Sequence, residues 1–500
     1  DTGGAGGDGL GGQGAGGGAD CSGTQSDDPR IKVGMAILKY TLESQGVPGG
    51  AFVVVEGGQL AGLGVAGSKR GASCDPITPD TLFNAGVMSG LISTIGVLDA
   101  VEEGKLDLDA PITTAVDSVW VEPSEHGAAS DITLRNLLNR TSGYRALVDQ
   151  WWSPGPCVSL EDSVQNAEVP LLYSPPGAMY HMYHRSNAQI AGLALERADG
   201  IPYEDAARAR VLDPLAMAGG YGESAFASGD FSFGHDNLFV DSTPPTECAA
   251  DDPSIGYYGS PLDLAKLFGY LTGGPGDILQ TALTAPDGML APQGPHFWTT
   301  DYAAFGLDGW RVEAINDDIL YGFQSGFGFS TGFWFFKERR LAIVVVLNAV
   351  YGSPSDLILG LPPLFDPTLS GVDFFETSCV GDPTLVASVA GTYVDPIGLN
   401  GDGVARTLTL TYDPTARTEL AATVEVGGET QSLALGTGSD IGYCADNFMV
   451  CEEPLDGACT SDDAGTWVRI WRDAQQEPYA VAVGFDGGPP FCRVSAARRP

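Results

Sequence analysis

The sequence predicts an α/β (α+β) chain: an antiparallel sheet flanked by helices, with a large helical subdomain, followed by a C-terminal antiparallel β domain. Two observations predict the first part. Strand-like runs stand near residues 51–67 and 328–349, and helical patterns separated by Pro- and Gly-rich loops dominate between them. The third observation is a change in the residue pattern after residue 383, where short runs of β-forming residues alternate with turn residues. Strands at both ends of a helical region indicate one sheet that the two arms of the chain build together.

Composition excludes several classes of partner. The 500 residues include 25 Lys and Arg against 64 Asp and Glu, a formal net charge of −39. Nucleic acids and anionic lipid surfaces are bound through concentrated positive charge, so neither is an expected partner. Hydrophobic residues make up 43% of the chain, which is enough for a buried core. No apolar run approaches the roughly 20 residues of a membrane-spanning helix.

The first 29 residues are predicted to be a flexible tether. They are dominated by Gly with small and acidic residues, and such a stretch buries too little surface to offset its ordering entropy. No signal peptide precedes them, so we expect a mature chain whose export signal has been removed. The tether is a candidate link to a cell envelope, and order is expected to begin near Arg30.

The elements of the first ordered region follow in sequence. Residues 31–45 place apolar positions at helical spacing, and residues 51–67 predict two strands joined at Gly57-Gly58, a hairpin signal. Helical patterns then run from Thr81 to about Leu271. The strands GFSTGFWFF and LAIVVVLNA follow, joined by a charged turn at Lys337–Arg340.

A break rich in Pro, Gly and Asp at residues 351–382 separates two predicted domains, residues 30–378 and 383–500. The second is predicted to be a small disulfide-containing β domain. Its strand-like runs are TLTLTYD, ELAATVEV, SLALGT, TWVRIWR and YAVAVGF.

Nine cysteines are scattered along the chain without a C-x-x-C pair, which disfavours zinc ribbons and thioredoxin-like sites. This usage favours an oxidising compartment, and the chain is expected to be secreted or associated with the cell envelope. The odd count leaves one cysteine over, and its place in the leader makes Cys21 the expected unpaired one. The last four, which lie close together in sequence, are expected to pair with each other.

Several segments of the first domain carry a family resemblance. They are Thr81-Leu82-Phe83, VLDAVEEGKLDLDAPI (97–112), ITLRNLLNRTSG (132–143), NAQIAGLALERADG (187–200), VLDPLAM (211–217), SPLDLAKLFGYL (260–271) and GFSTGFWFFKERRLAIVVVLNA (328–349). In order and spacing the chain resembles the serine β-lactamase and penicillin-binding-protein family. The nearest branch is the class C β-lactamases with their esterase and D-aminopeptidase relatives. In this branch a β domain is appended, beginning with a phrase like AGTY (390–393).

The resemblance implies a cleft in which three motifs meet. A Ser-x-x-Lys at a helix start supplies the nucleophile and the amine that tunes it. A Tyr-x-Asn or Ser-x-Asn relays a proton and holds substrate. A Lys-Thr-Gly or His-x-Gly on a strand binds the substrate carboxylate and lines the oxyanion site.

The first motif falls on positions that lack its chemistry. Val87 stands in the place of the serine and Gly90 in the place of the lysine, and no other Ser-x-x-Lys occurs in the chain. Valine has no lone pair and glycine has no base. Ser89 lies two residues further along, about 200° around a helix, so it is expected to bond to nearby backbone instead. The resemblance therefore predicts a catalytically inactive relative.

The second motif falls on Tyr183-His184-Arg185, counted nine residues back from Gly192, with Arg185 in the place of the amide. Asn187 is the alternative occupant of that place. The third motif falls on Gln324-Ser325-Gly326, where the cation becomes a neutral amide.

The remaining cleft residues are the ligand-binding candidates Tyr183, Arg185, Trp151, Trp152, Gln324 and Ser325. An Arg offers a bidentate donor to a carboxylate, and tryptophans stack on sugars or peptides. The expected partner is therefore a peptidoglycan-derived peptide or glycan, or an envelope protein. In the plainer interpretation, the tryptophans cap a loop, Arg185 pairs with a carboxylate and Tyr183 is a packed wall residue.

Two other functions stay open. One is a serine-hydrolase-family enzyme, of esterase, peptidase or β-lactamase type, with a non-standard nucleophile. The other is a structural or partner-docking protein that acts through the β domain. No cofactor is expected. No metal is expected either, because His181 and His184 lack a supporting carboxylate pattern.

Overall fold

The computed structural model describes most of residues 21–370 and mainly the strands within residues 390–495. The described ranges are 21, 23–25, 27–71, 73–86, 88–122, 126–147, 158–172, 175–177, 185–227, 229–235, 252–273, 289, 303–305, 311–313, 319–326, 328–370, 390–395, 406–413, 420–426, 428–436, 447–451, 466–472, 478–485 and 492–495. In these ranges no helix is both long and apolar enough to cross a membrane.

Strands β1 to β13 belong to the first region. They are β1 (Thr24–Gln25), β2 (Gly49–Glu56), β3 (Gln59–Arg70), β4 (Ser73–Pro76), β5 (Phe83–Asn84), β6 (Tyr144–Leu147), β7 (Glu168–Leu172), β8 (Tyr258–Gly259), β9 (Ala303–Phe305), β10 (Arg311–Glu313), β11 (Ile319–Gly326), β12 (Phe329–Phe336) and β13 (Leu341–Leu347).

The helices of the described residues lie in the same region. They are α1 (Pro29–Gln45), α2 (Met88–Glu102), α3 (Leu134–Leu138), α4 (Leu160–Gln165), α5 (Arg185–Asp199), α6 (Tyr203–Ala207), α7 (Gly222–Phe226), α8 (Asp252–Ile255), α9 (Pro261–Leu271), α10 (Ser355–Gly360) and α11 (Pro362–Phe365). A π-helical turn at Arg208–Leu212 and 3₁₀ turns at Ile112–Thr114, Ala129–Asp131 and Pro367–Leu369 complete the set.

The two arms of the chain form one antiparallel sheet, as the sequence predicts. Its order is β1-β3-β2-β13-β12-β11-β10-β9, with β4 paired to β3. The arms meet where β2 pairs with β13, with Val53 opposite Val344. Side chains alternate along each strand. Val53 therefore faces the core under the helical region, whereas Phe52 faces the core that α1 and α10 cover. Both faces are buried, which explains the unbroken aliphatic runs.

Both predicted turns are confirmed. The β2–β3 hairpin turns at Gly57 and Gly58, whose φ angles of 60° and 83° suit the left-handed conformation that a two-residue hairpin needs. Residues Lys337–Arg340 connect β12 to β13.

The N-terminal segment corrects two predictions. Cys21 is bonded to Cys74, so it is not the unpaired cysteine. Order also begins before Arg30, because Thr24 and Gln25 pair with β3 and Asp28 caps α1 by accepting the Arg30 N–H at 2.8 Å. The predicted tether of residues 1–29 is thus too long at its C-terminal end. A covalent link and a sheet ladder offset the entropy that composition alone assigns to this stretch.

The C-terminal strands form a closed antiparallel sheet of eight, as the predicted β domain requires. They are β14 (Gly391–Asp395), β15 (Arg406–Tyr412), β16 (Leu420–Val426), β17 (Glu429–Gly436), β18 (Asn447–Cys451), β19 (Thr466–Arg472), β20 (Pro478–Phe485) and β21 (Cys492–Ser495). All five predicted runs are strands, and β14, β18 and β21 are strands that the pattern missed. The boundaries at 378 and 383 stay predictions, since residues 371–389 lie outside the described residues.

Candidate functional site

The segment before residue 87 is held from two sides. Asn84 donates from Nδ2 to the Ile255 carbonyl at 2.8 Å and accepts the Gly86 N–H on Oδ1 at 2.9 Å. The Ala85 N–H donates to the Tyr257 carbonyl at 2.9 Å. These bonds hold the backbone up to Gly86. Val87 itself lies outside the described residues.

Two residues at the start of α2 are committed to packing. Gly90 is buried within the helix. Ser89 is fully buried, and its Oγ accepts the Tyr257 N–H at 3.1 Å. The prediction that Ser89 bonds to backbone is confirmed, but its partner lies 168 residues away in the chain instead of nearby. Its hydroxyl is therefore a structural acceptor inside the protein.

The segment at 252–259 runs beside this turn and the start of α2. Strand β8 pairs with β5, and the Ser93 hydroxyl contacts the Pro253 carbonyl and the Tyr203 hydroxyl, both at 2.6 Å. Sequence reasoning missed Tyr257, whose main chain bonds on both sides of residue 87. Its distance along the chain left no local signal that could have found it.

The second predicted segment is only partly described. Tyr183 and His184 lie outside the described residues, and Arg185 is the first residue of α5, with its side chain also outside them. Asn187, the alternative occupant, is 1% exposed, and its Oδ1 accepts the Ser142 hydroxyl at 2.9 Å. Ser142 Oγ in turn accepts the Tyr144 N–H at 3.0 Å. This chain of bonds joins the start of β6 to the first turn of α5.

The third predicted segment ends strand β11. Gln324, Ser325 and Gly326 pair with Thr331, Ser330 and Phe329 of β12. The Phe329 ring meets Phe83 edge to face, with centroids 6.4 Å apart, so the end of this hairpin lies beside the strand that leads to residue 87. The first and third segments are therefore neighbours.

The remaining ligand candidates have side chains that the structure does not describe. The side chains of Gln324 and Ser325 lie outside the described residues, as do Trp151 and Trp152. The same holds for His181, the other histidine of the weak metal pattern. Among the residues that the structure does describe, no three His, Cys, Asp or Glu side chains are grouped closely enough to hold a metal ion.

Helices α2 and α5 pack closely and are tied together at their ends. A Cβ placed on Gly96 would stand 3.1 Å from Leu195 Cδ2, which shows how near the helices approach. Arg210 bonds Asp199 through Nε and Nη2, both at 2.6 Å, and also contacts Asp99 and Glu103. The hydrogen bonds from this guanidinium hold the pKa values of Asp199 and Glu103 below their usual range.

Comparison with known proteins identifies the family of this chain. A family model described as β-lactamase matches residues 31–360. Esterase EstB from Burkholderia gladioli is 26% identical over 196 residues, covering 36% of this chain and 49% of the esterase. Monacolin J acid methylbutanoyltransferase from Aspergillus terreus is 25% identical over 213 residues, covering 38% of this chain and 51% of the transferase. The chain thus spans about half the length of the curated relatives it matches.

Two solved structures share the fold. An octameric penicillin-binding protein homologue from Pyrococcus abyssi has a TM-score of 0.59 at 16% identity, covering 93% of this chain and 99% of that one. A class C β-lactamase from Rhodobacter sphaeroides has a TM-score of 0.52 at 21% identity, covering 66% of this chain and 99% of that one.

Proposed function

This chain belongs to the β-lactamase family, and we propose that it is a member without hydrolytic activity that binds a peptidoglycan-derived peptide or glycan in the family cleft. One observation carries the proposal: the places of the nucleophile and its lysine are taken by Val87 and Gly90. Nucleophile and base act as a unit, so the loss of both removes several orders of magnitude in rate.

Ser89 does not replace the lost hydroxyl. It is buried and accepts the Tyr257 N–H, and a serine in such a bond has no base beside it among the contacts described for it. An acyl-enzyme therefore has no route through this residue.

Covalent labelling tests the absence of catalysis. Purified protein treated with a fluorescent penicillin, or with a fluorophosphonate, is expected to carry no label, while a class C β-lactamase treated in parallel is labelled. A mass adduct that survives denaturation would show a reactive nucleophile and overturn the proposal.

Binding at the cleft is tested separately. The proposed contacts are Tyr183, Arg185, Trp151, Trp152, Gln324 and Ser325. A muramyl peptide is expected to raise the melting temperature, and Arg185→Ala is expected to abolish the rise because the carboxylate loses its bidentate donor. Arg197→Ala is the matched control, since Arg197 lies at the other end of the same helix and pairs with Glu161. Equal loss in both variants would contradict a contact at residue 185.

We also propose that the chain is exported and acts in the cell envelope. The Cys21–Cys74 disulfide and the Gly-rich start support this. Fractionation of the native host is expected to place the protein outside the cytoplasm, and recovery of the protein only from the cytosol would contradict it.

A second candidate, a hydrolase with a non-standard nucleophile, is favoured by the esterase and the acyltransferase among the relatives. It requires turnover of a generic ester that a single Ser or Tyr substitution abolishes. Absence of turnover excludes it.

A further inference from the structure

The outer face of helix α1 is apolar although it faces solvent. One stripe of the helix is buried against the sheet, and its members are Ile31, Gly34, Met35, Leu38, Thr41 and Leu42. A second set of apolar residues lies at i, i+3, i+4 and i+7, a spacing that puts them on one face. We call this set the outer stripe, and it consists of Val33, Ala36, Ile37 and Tyr40. Val33 is 46% exposed and Tyr40 is 66% exposed.

Such a stripe differs from the single apolar residues that every protein surface carries. Among the described residues, five large hydrophobic side chains are exposed, and two of them, Val33 and Tyr40, lie on this one face. A helix that is apolar on two faces is normally covered on both, because apolar area left in water costs free energy. Residues 1–20 contain one large apolar side chain, Leu10, so the Gly-rich leader does not match the stripe. The outer stripe is therefore a candidate surface for contact with another molecule.

The outer stripe is complementary to itself. Val33 and Tyr40 lie at equal distances along the helix from the middle of the stripe, as do Ala36 and Ile37. A second copy of α1 that runs antiparallel across the stripe therefore sets Val33 against Tyr40 of the other copy. A two-fold axis makes each such contact twice, which is the geometry of the commonest soluble oligomer, the two-fold dimer.

The charged side chains beside the stripe fit the same arrangement. Lys32 and Glu43 are both exposed and stand about three turns apart, so they lie on the same flank of α1. In an antiparallel two-fold pair the same flanks of the two helices face each other. Lys32 of one copy then lies opposite Glu43 of the other, at both ends of the contact. Within its own chain Lys32 pairs with the exposed Asp27 at 3.9 Å, a pair that contributes little and is readily exchanged.

The charge of α1 differs from that of the chain as a whole. Residues 29–45 carry three Lys and Arg against one Glu, whereas the whole chain carries 25 Lys and Arg against 64 Asp and Glu. Two copies with a net charge of −39 each repel one another. Contact through α1 keeps acidic surfaces from meeting directly, and the facing Lys32 and Glu43 side chains add attraction at its edges.

We propose that the outer stripe pairs two copies of this chain in solution, as an antiparallel two-fold dimer with Lys32 of each copy beside Glu43 of the other. One helix face is smaller than a standard interface, so the dimer is weak and depends on concentration. The inference goes beyond the proposed function and is independent of it, because neither a ligand nor a cleft residue takes part.

Sedimentation equilibrium of the full chain tests the proposal. The unchanged protein is expected to pass from monomer to dimer as its concentration rises from about 1 µM to about 1 mM, the range of weak specific pairs. Tyr40→Glu places a charge in the apolar contact and is expected to weaken the dimer at least about tenfold. Ile201→Glu is the matched control, because Ile201 is 40% exposed and lies outside α1, between α5 and α6. It is expected to leave the dimer unchanged.

Charge reversal tests the pairing itself. Lys32→Glu and Glu43→Lys each set like charges opposite one another, and each is expected to weaken the dimer at least about threefold. The double variant restores opposite charges and is expected to recover the affinity of the unchanged protein. An effect of net charge alone would have opposite signs in the two single variants, because Lys32→Glu makes the chain more negative and Glu43→Lys makes it less negative.

Four results would overturn the proposal. A monomer at every concentration would mean that the stripe does not pair two copies. A dimer that a folded Tyr40→Glu variant leaves intact would place the contact on another face. A double charge variant that dimerises no better than the single variants would contradict the antiparallel pairing. A monomer whose melting temperature falls in Tyr40→Glu and not in Ile201→Glu would show that another part of this chain covers the stripe. Should Tyr40→Glu fail to fold, the charge-reversal series decides.

Discussion

The two ends of helix α2 differ in what their polar side chains do. At the start, the Ser89 hydroxyl accepts a hydrogen bond from the Tyr257 N–H, and Gly90 contributes no side chain. At the end, Asp99 and the following Glu103 join Asp199 around the Arg210 guanidinium. The C-terminal end is held by charged partners, whereas the two residues at the start, Ser89 and Gly90, are buried in the packing.

This difference indicates what has been retained. The turn before residue 87 is held by bonds from Asn84 and Ala85, and α2 remains packed against α5. These supporting bonds are what the proposed function, binding without turnover, requires of the scaffold. Substitutions at the two ends should therefore affect different properties, and four measurements examine that.

The largest effect on stability is expected at the C-terminal end of α2. Arg210→Ala leaves the largely buried Asp199 without its partner and is expected to lower the free energy of unfolding by about 3–5 kcal/mol. Urea denaturation measures this. Arg135→Ala, which removes an arginine whose partner Asp109 is mostly exposed, is the control and should cost less than about 1 kcal/mol. Similar costs for both variants would mean that the ion pairs of Arg210 with Asp99, Glu103 and Asp199 do not stabilise the fold more than an exposed pair does.

The next effect is a pH dependence of the stability that the ion pairs of Arg210 with Asp199 and Glu103 provide. Arg210 lowers the pKa values of Asp199 and Glu103 in the folded state, so their contribution is present above the unfolded values of about 4 and is lost as pH falls further. The gap in stability between the unchanged protein and Arg210→Ala should narrow below about pH 4. A gap that stays constant down to pH 2.5, measured by urea denaturation at each pH, would contradict the coupling.

A moderate effect is expected at the start of the helix. Ser89→Ala removes the acceptor of the buried Tyr257 N–H and should cost about 1–3 kcal/mol of stability. Labelling by a fluorescent penicillin should be absent before and after the substitution. If the unchanged protein is labelled and the variant is not, Ser89 is a nucleophile and the contrast between the two ends disappears.

The smallest effect has the opposite sign. The Tyr257 hydroxyl is buried without a partner, and burial raises its pKa well above the usual value. Tyr257→Phe removes only this hydroxyl and leaves the main-chain bonds, so the free energy of unfolding should rise by up to about 1 kcal/mol. A loss of more than 1 kcal/mol in thermal or urea unfolding would show that the hydroxyl has a partner.

Much of the fold could be predicted because its signals are local. The aliphatic run of β13, the Gly57-Gly58 turn and the alternating runs of the C-terminal region each specify their structure within a few residues. Strands β14, β18 and β21 were missed, since their few residues show no alternation distinct from the surrounding sequence.

The identity of the site residues stays a prediction of the sequence, whereas their arrangement needed the structure. The sequence alone determined that Val87 and Gly90 carry no hydroxyl and no amine, because valine and glycine lack these atoms in any conformation. It could not determine that Cys21 pairs with Cys74, that Ser89 bonds to Tyr257, or that Asn187 keeps an unpaired nitrogen. Those facts depend on which distant backbone segments meet. Only the tertiary structure decides this, since a hydrogen bond or a disulfide depends on distance in space and not on separation along the chain.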